Sequence, residues 1–149
     1  KLNTNPTSNF FGFDSFLGLP EHWTNKRSKG AYNENGNLPQ VDDDRIQFVK
    51  GWFQNTLPSF IEENKIDENL FVHYDADIFS ATLFAMLEID KLKIPYYAVF
   101  DEFTGHETHA LHRYMQISGA EVKFIASTGD KHYPTQVSCL IKPAKVFEV

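Results

Sequence analysis

The chain has 149 residues, 42% of them hydrophobic, with fourteen Phe, six Tyr and two Trp. That is enough apolar material for one globular domain, residues 1–149, with a real core. The formal net charge of −6 comes without a basic stripe, which argues against a nucleic-acid binder, and no apolar run reaches the roughly 18 residues needed to span a bilayer.

The chain opens at Lys1 with no methionine before Met86 and without the pattern of a secretory leader, so it is expected to be a processed chain or part of something longer. The polar, turn-rich stretch Lys1–Asn9 runs straight into an apolar strand at Phe10-Phe11-Gly12-Phe13, which ends in Asp14. Gly18-Leu19-Pro20 then marks a turn. Glu21–Asp44 carries no sustained periodicity, and a loop of that length after a strand end is expected to be functional, a lid over a ligand. Ile46–Val49 reads as a short strand closing on Gly51-Trp52-Phe53. Thr56 is the expected N-cap of a helix with Pro58 in its first turn, running to about Asn64.

Leu70–Tyr74 is an apolar strand running into Asp75-Ala76-Asp77. Ile78–Ile89 carries apolar residues at 78, 79, 83, 84, 86 and 87, a helix with a broad buried face. Tyr96–Phe100 is a second strand running into Asp101-Glu102. Thr104–Ser118 reads as a helix closed by Gly119. Glu121–Ala126 and Gln136–Ile141 read as an antiparallel pair at a sheet edge, joined by a turn containing Gly129-Asp130. The lone Cys139 in the last strand excludes a disulfide framework and favours an intracellular, cytoplasmic setting; it reads as a core residue. The order β-loop-β-α-β-α-β-α-β-β predicts a three-layer α/β domain.

The strand–helix–strand unit from Leu70 to Phe100 predicts a right-handed crossover with parallel strands. Ligands in such sheets bind beyond the carboxyl ends of the strands, where Asp75, Asp77, Asp101 and Glu102 fall together. If the strand continues past Tyr74, Asp75 and Asp77 point to one side, and neighbouring strands roughly 5 Å apart bring Asp101 or Glu102 within reach of an ion shared with Asp75. Such hard oxygen donors suit Mg²⁺ or another divalent cation. The alternative is that Asp77 caps the following helix and Asp101-Glu102 are solvated. Asp14, at its own strand end, suits either a ribose hydroxyl or a turn with Ser15. His106, His109 and His112 recur every third residue and read as a solvated helix face, with His106, nearest the strand end, a candidate base. No glycine-rich phosphate loop, Walker sequence or G-x-S-x-G is present.

Several blocks resemble the macrocin O-methyltransferase-like family of S-adenosylmethionine-dependent methyltransferases. They are Gly12-Phe13-Asp14-Ser15-Phe16, Gly18-Leu19-Pro20-Glu21 with Trp23, Gly30-Ala31, Gly36, and Gly51-Trp52-Phe53 with Thr56-Leu57-Pro58. His73-Tyr74-Asp75, Asp77-Ile78-Phe79-Ser80 with Thr82, and Phe100-Asp101-Glu102-Phe103 complete the set. The resemblance runs from Phe11 to about Ile141 and implies a Rossmann-like class I sheet of seven strands, mostly parallel with an antiparallel edge strand.

It implies that Asp14 and Ser15 face the cofactor ribose, and that Gly51, Trp52 and Phe53 border the adenine. Asp75, Asp101 and Glu102 would hold Mg²⁺ or Mn²⁺ beside the acceptor hydroxyl of a sugar or related small molecule, with Asp75 taking the proton. Two other classes stay open: a binding module that keeps the fold without catalysis, and a metal-dependent hydrolase using the same carboxylates. The chain departs from the family in having Asp101-Glu102 where many relatives have two aspartates, and Lys93-Ile94-Pro95-Tyr96 where a Pro-Gly-Gly turn is usual. It also opens at the fold's second strand, so the glycine loop for the cofactor's methionine end is absent. Without the first strand, the edges of Phe10–Phe13 and Leu70–Tyr74 would be bare. They are expected to pair directly, to be filled by a partner chain such as a second copy, or to be covered by the tail Lys1–Asn9. The chain alone is expected to bind S-adenosylmethionine poorly and to show no methyl transfer.

Overall fold

Phe10–Asp14 and Ile46–Lys50 mix half-buried and exposed positions and form strands β1 and β2 of a parallel two-stranded sheet. The computed structural model describes residues 7–66, 69–130 and 132–145. The chain divides into two compact units, Lys1–Ser59 and Phe60–Val149.

In the first unit Phe10 lies opposite Ile46 and Asp14 opposite Lys50. The strands can approach closely at Gly12, where a Cβ would meet the Phe48 ring at 2.9 Å. The long crossover from Ser15 to Arg45 is built of turns. Its backbone folds onto the segment just after β1: the Leu19 amide donates to the Ala31 carbonyl (2.9 Å), and the Gly36 amide to that of Phe16 (2.7 Å). Gly18, at φ 79°, is wedged against the carbonyls of Gly30 and Ala31, so no other residue fits there. Phe16 and Leu19 are buried, and Phe16 meets Phe48 edge to face.

Helix α1 covers Phe53–Glu63. It begins earlier than the sequence suggests. The amides of Asn55 and Thr56 already bond the Trp52 carbonyl, and Thr56 Oγ1 donates to that same carbonyl (3.2 Å) instead of capping. Pro58 therefore sits in the second turn, where its missing N–H forgoes one helical bond.

The second unit contains β3 (Phe71–Tyr74), α2 (Phe79–Asp90), β4 (Tyr96–Phe100), α3 (His106–Ser118), β5 (Glu121–Asp130) and β6 (Tyr133–Lys142). Their sheet order is β3-β4-β6-β5. β3 and β4 are parallel, as the crossover predicts, with Tyr74 opposite Phe100. β6 is antiparallel to both neighbours. It is therefore an inner strand, and β5 forms the edge. The helical connection from β4 leaves one slot open, and the hairpin returns into it. β5 and β6 run longer than expected: Gly129 and Asp130 still pair with Pro134 and Tyr133, so Gly129-Asp130 belongs to the ladder.

The expected seven-stranded sheet is met in part. The described residues form an α/β fold with a two-stranded and a four-stranded sheet, and β1 pairs with β2 alone. Direct pairing of β1 with β3 does not occur among the described residues. The first six residues of the tail lie outside them.

The core of the second unit is aromatic and polar at once. Tyr74 stacks on Phe100 with ring centroids 4.9 Å apart, and its hydroxyl meets that of Tyr96 at 3.0 Å. The Tyr114 hydroxyl, wholly buried, donates to Asp90 Oδ1 at 2.7 Å and ties α3 to α2. Ile78, Met86, Cys139 and Ile141 complete a core with no exposed surface of its own.

Candidate active site

Each unit ends its strands in candidate site residues. In the first, the sheet end gathers all five cofactor candidates. The Gly51 amide extends the ladder to the Asp14 carbonyl (2.9 Å), so Asp14 and Ser15 lie beside Gly51, Trp52 and Phe53, where α1 begins. Gly51 has φ 148°, and a Cβ there would strike Thr56 Cγ2. Asp14 also makes the turn: its Oδ1 accepts the Phe16 amide at 2.7 Å, and buried Ser15 accepts the Leu17 amide at 3.1 Å through Oγ. The carboxylate of Asp14 is exposed.

In the second unit the ends of β3 and β4 are locked by the Asp101 amide donating to the Tyr74 carbonyl (3.0 Å). Asp75, Asp101 and Glu102 therefore start side by side. β3 stops at Tyr74, so strand alternation does not carry Asp75 and Asp77 to one side. Asp77 instead sits in a tight turn at φ 60°, closed by the Ile78 amide on the Ala76 carbonyl (2.6 Å), a costly conformation for a non-glycine residue. Ile78 holds the N-cap position of α2, and its own side chain makes no capping hydrogen bond.

A cleft of about 400 Å³ lies beside these ends, lined by Asp101, Glu102, Thr104, Thr135 and Gln136. Gln136 Nε2 donates to Asp101 Oδ1 at 2.6 Å, and His73 Nε2 stands 3.6 Å from the same oxygen. His106 uses its Nδ1 to accept the Phe79 amide (3.1 Å), which fixes α3 to the start of α2. A neutral imidazole bonded this way carries its proton on Nε2, so while the bond holds no lone pair is left to act as a base.

The sequence reading missed Glu107. It lies in the first turn of α3, is 1% exposed, and its Oε2 accepts the Glu102 amide at 3.1 Å, while Oε1 is buried without a hydrogen-bond partner. Burial pushes its carboxyl up to about 8 against the pull of the Glu102 and Ala76 amides, and the charges of Asp75 and Asp101 add to the rise. Burial also raises Glu102, followed by the charges of Asp101 and Asp75. An acid in the first helical turn five residues after Glu102 was the available signal; Gln136 and Thr135 arrive through the hairpin and leave no local one.

Among the described residues, no three His, Cys, Asp or Glu side chains close on one point as the ligands of a metal ion would. The charges of Asp75 and Asp101 do add to the rise of the Glu102 and Glu107 carboxyls, so acids gather at this end of the sheet without closing on one ion position.

The sequence model of the family described as macrocin-O-methyltransferase (TylF) matches residues 2–123, which includes both strand-end groups. Two solved structures share the fold. One is CalS11, a calicheamicin methyltransferase, with a TM-score of 0.62 at 17% identity. The other is the apo structure of CalS11, described as a TDP-rhamnose 3'-O-methyltransferase in calicheamicin biosynthesis, with a TM-score of 0.54 at 18% identity. Both comparisons cover 90% of this chain, but only 61% and 59% of the solved chains, so the sequence spans about three fifths of the structures it matches. No curated protein matches the chain. No helix among the described residues is long and apolar enough to cross a membrane.

Proposed function

Because the chain belongs to the macrocin-O-methyltransferase (TylF) family, we propose that the protein transfers a methyl group from S-adenosylmethionine to a hydroxyl of a sugar or related small molecule. The observation that carries this reading is that two adjacent parallel strands end side by side, β3 at Asp75 and β4 at Asp101-Glu102, with an open cleft lined by Asp101 and Glu102. The frame is a class I, Rossmann-like one, with α/β layers around a sheet whose β6 is reversed.

Asp14 and Ser15 are assigned to the cofactor ribose, and Gly51, Trp52 and Phe53 to the adenine. When bound, S-adenosylmethionine supplies an electrophilic methyl group on its sulfonium. Asp75 would accept the proton from the acceptor hydroxyl as that oxygen takes up the methyl group. A divalent cation, Mg²⁺ or Mn²⁺, held by Asp75, Asp101 and Glu102 would lower the hydroxyl's pKa. His106 serves to place α3; a role as base would require it to release the Phe79 amide.

The test is transfer of labelled methyl from S-adenosylmethionine to a panel of sugars and nucleotide sugars. Asp75→Asn should leave cofactor binding intact and lower the rate by roughly 10²–10⁴-fold, the usual share of a general base. Cofactor binding without transfer to any acceptor would favour the non-catalytic module. Unchanged turnover by Asp75→Asn would remove Asp75 from the mechanism.

A further inference from the structure

The cleft beside the end of β4 has two walls of different origin. Asp101, Glu102 and Thr104 come from the turn after β4, and Thr135 and Gln136 from β6. Two bonds hold the walls together. The Phe103 amide donates to the Thr135 carbonyl (2.7 Å), and Gln136 Nε2 donates to Asp101 Oδ1 (2.6 Å). The hairpin also steadies its own wall: the Gln136 amide donates to Thr128 Oγ1 (3.2 Å), and the Thr128 and Thr135 hydroxyls meet at 3.0 Å. A solvated acidic turn would explain Glu102 by itself. It would not explain why a second element is tied across to it.

The chemistry of the lining is one-sided. Two carboxylates, two hydroxyls and one amide form it, with no lysine or arginine. With Nε2 committed to Asp101, Gln136 keeps its carbonyl oxygen to offer as an acceptor. His73, outside the lining, stands against Asp101 at 3.6 Å, but among the described residues Glu102 makes no ion pair. Burial raises the Glu102 carboxyl, and the charges of Asp101 and Asp75 add to the rise, so negative potential accumulates here. A cleft lined by one sign of charge concentrates the opposite sign. Phosphate recognition calls for arginine or lysine, which this lining lacks.

We propose that the acceptor bound in this cleft carries a protonated amine, as an amino sugar does, and that phosphorylated sugars are disfavoured there. The proposal rests on the reading that this cleft receives the acceptor. Gln136 is then a specificity residue, holding Asp101 in place and offering its own carbonyl oxygen to the ligand.

The probes are methyl glycosides that differ in one substituent: ammonium, hydroxyl or phosphate. Each is titrated into the 149-residue chain in chelator at low ionic strength, and nuclear magnetic resonance follows the backbone amides of Thr104, Thr135 and Gln136. The ammonium form should bind roughly fivefold or more tighter than the hydroxyl form, and the phosphate form weakest. Added salt should narrow the gap. Asp101→Asn should narrow it too, and Gln136→Lys, at an exposed position, should turn the order toward phosphate. Equal binding of the ammonium and hydroxyl forms would overturn the proposal. So would tightest binding of the phosphate form, or no shift at these amides with any probe. If Mg²⁺ makes the phosphate form the tightest, an ion balances the acids instead of the acceptor, and the proposal falls. Labelled methyl transfer separates this from the methyltransferase reading. Transfer to phosphorylated acceptors alone leaves that reading standing and overturns the charge preference. Ammonium-selective binding without transfer to any acceptor does the reverse.

Discussion

Glu107 gives the folded chain a proton that the unfolded chain does not hold. Its carboxyl is pushed up to about 8 in the fold, against about 4.3 for a free glutamate. Its contribution to stability is therefore complete below about pH 4.3 and is lost as pH rises toward 8. At 1.36 kcal/mol per unit the whole swing is on the order of 3–5 kcal/mol. Glu107→Gln, which cannot ionise, should flatten this arm, so that in chelator the variant gains on the parent between pH 5 and pH 8. Melting curves at both pH values check this; parallel pH profiles would refute it.

At the scale of elements, what could be read from sequence was whatever a local pattern controls. Alternation and strand-end acids located β1, β3 and β4, and apolar spacing located α2. Gly119 closed α3, and its φ of 68° shows why: the left-handed residue after a helix is where the missing Cβ matters. A Cβ there would meet only Ala144, at an ordinary 3.7 Å, so Gly119→Ala tests backbone strain with little steric interference. It should cost about 1 kcal/mol, read as a shift in the urea midpoint at unchanged slope; no shift would mean that the turn relaxes.

Other features depended on contacts that a local pattern does not carry. Pro58 suggested a later start for α1 because proline favours a first turn, whereas the Trp52 carbonyl had already begun the helix. The alternation argument for Asp75 and Asp77 failed where β3 stopped, one residue before Asp75. Glu107 went unremarked because nothing in its neighbours' identities announces burial. Gln136 reaches Asp101 across 35 residues of chain.

At the scale of the molecule, the order β-α-β-α-β-β of the second unit set the crossover and the hairpin, and the reversed β6 followed from a slot that only the assembled sheet reveals. That inner position has a consequence for Cys139. Its residue lies opposite Ala98 on one side and Phe124 on the other, has no exposed surface, and burial pushes its thiol up to about 11. The chain's single thiol is thus a built-in clock for breathing of the sheet. A thiol-reactive dye in native buffer should label it only as fast as the sheet opens, and the rate should climb with urea along the slope of global unfolding. Labelling within seconds in the absence of denaturant would reveal a local opening of β6, the strand on which Gln136 and Thr135 are carried to the cleft.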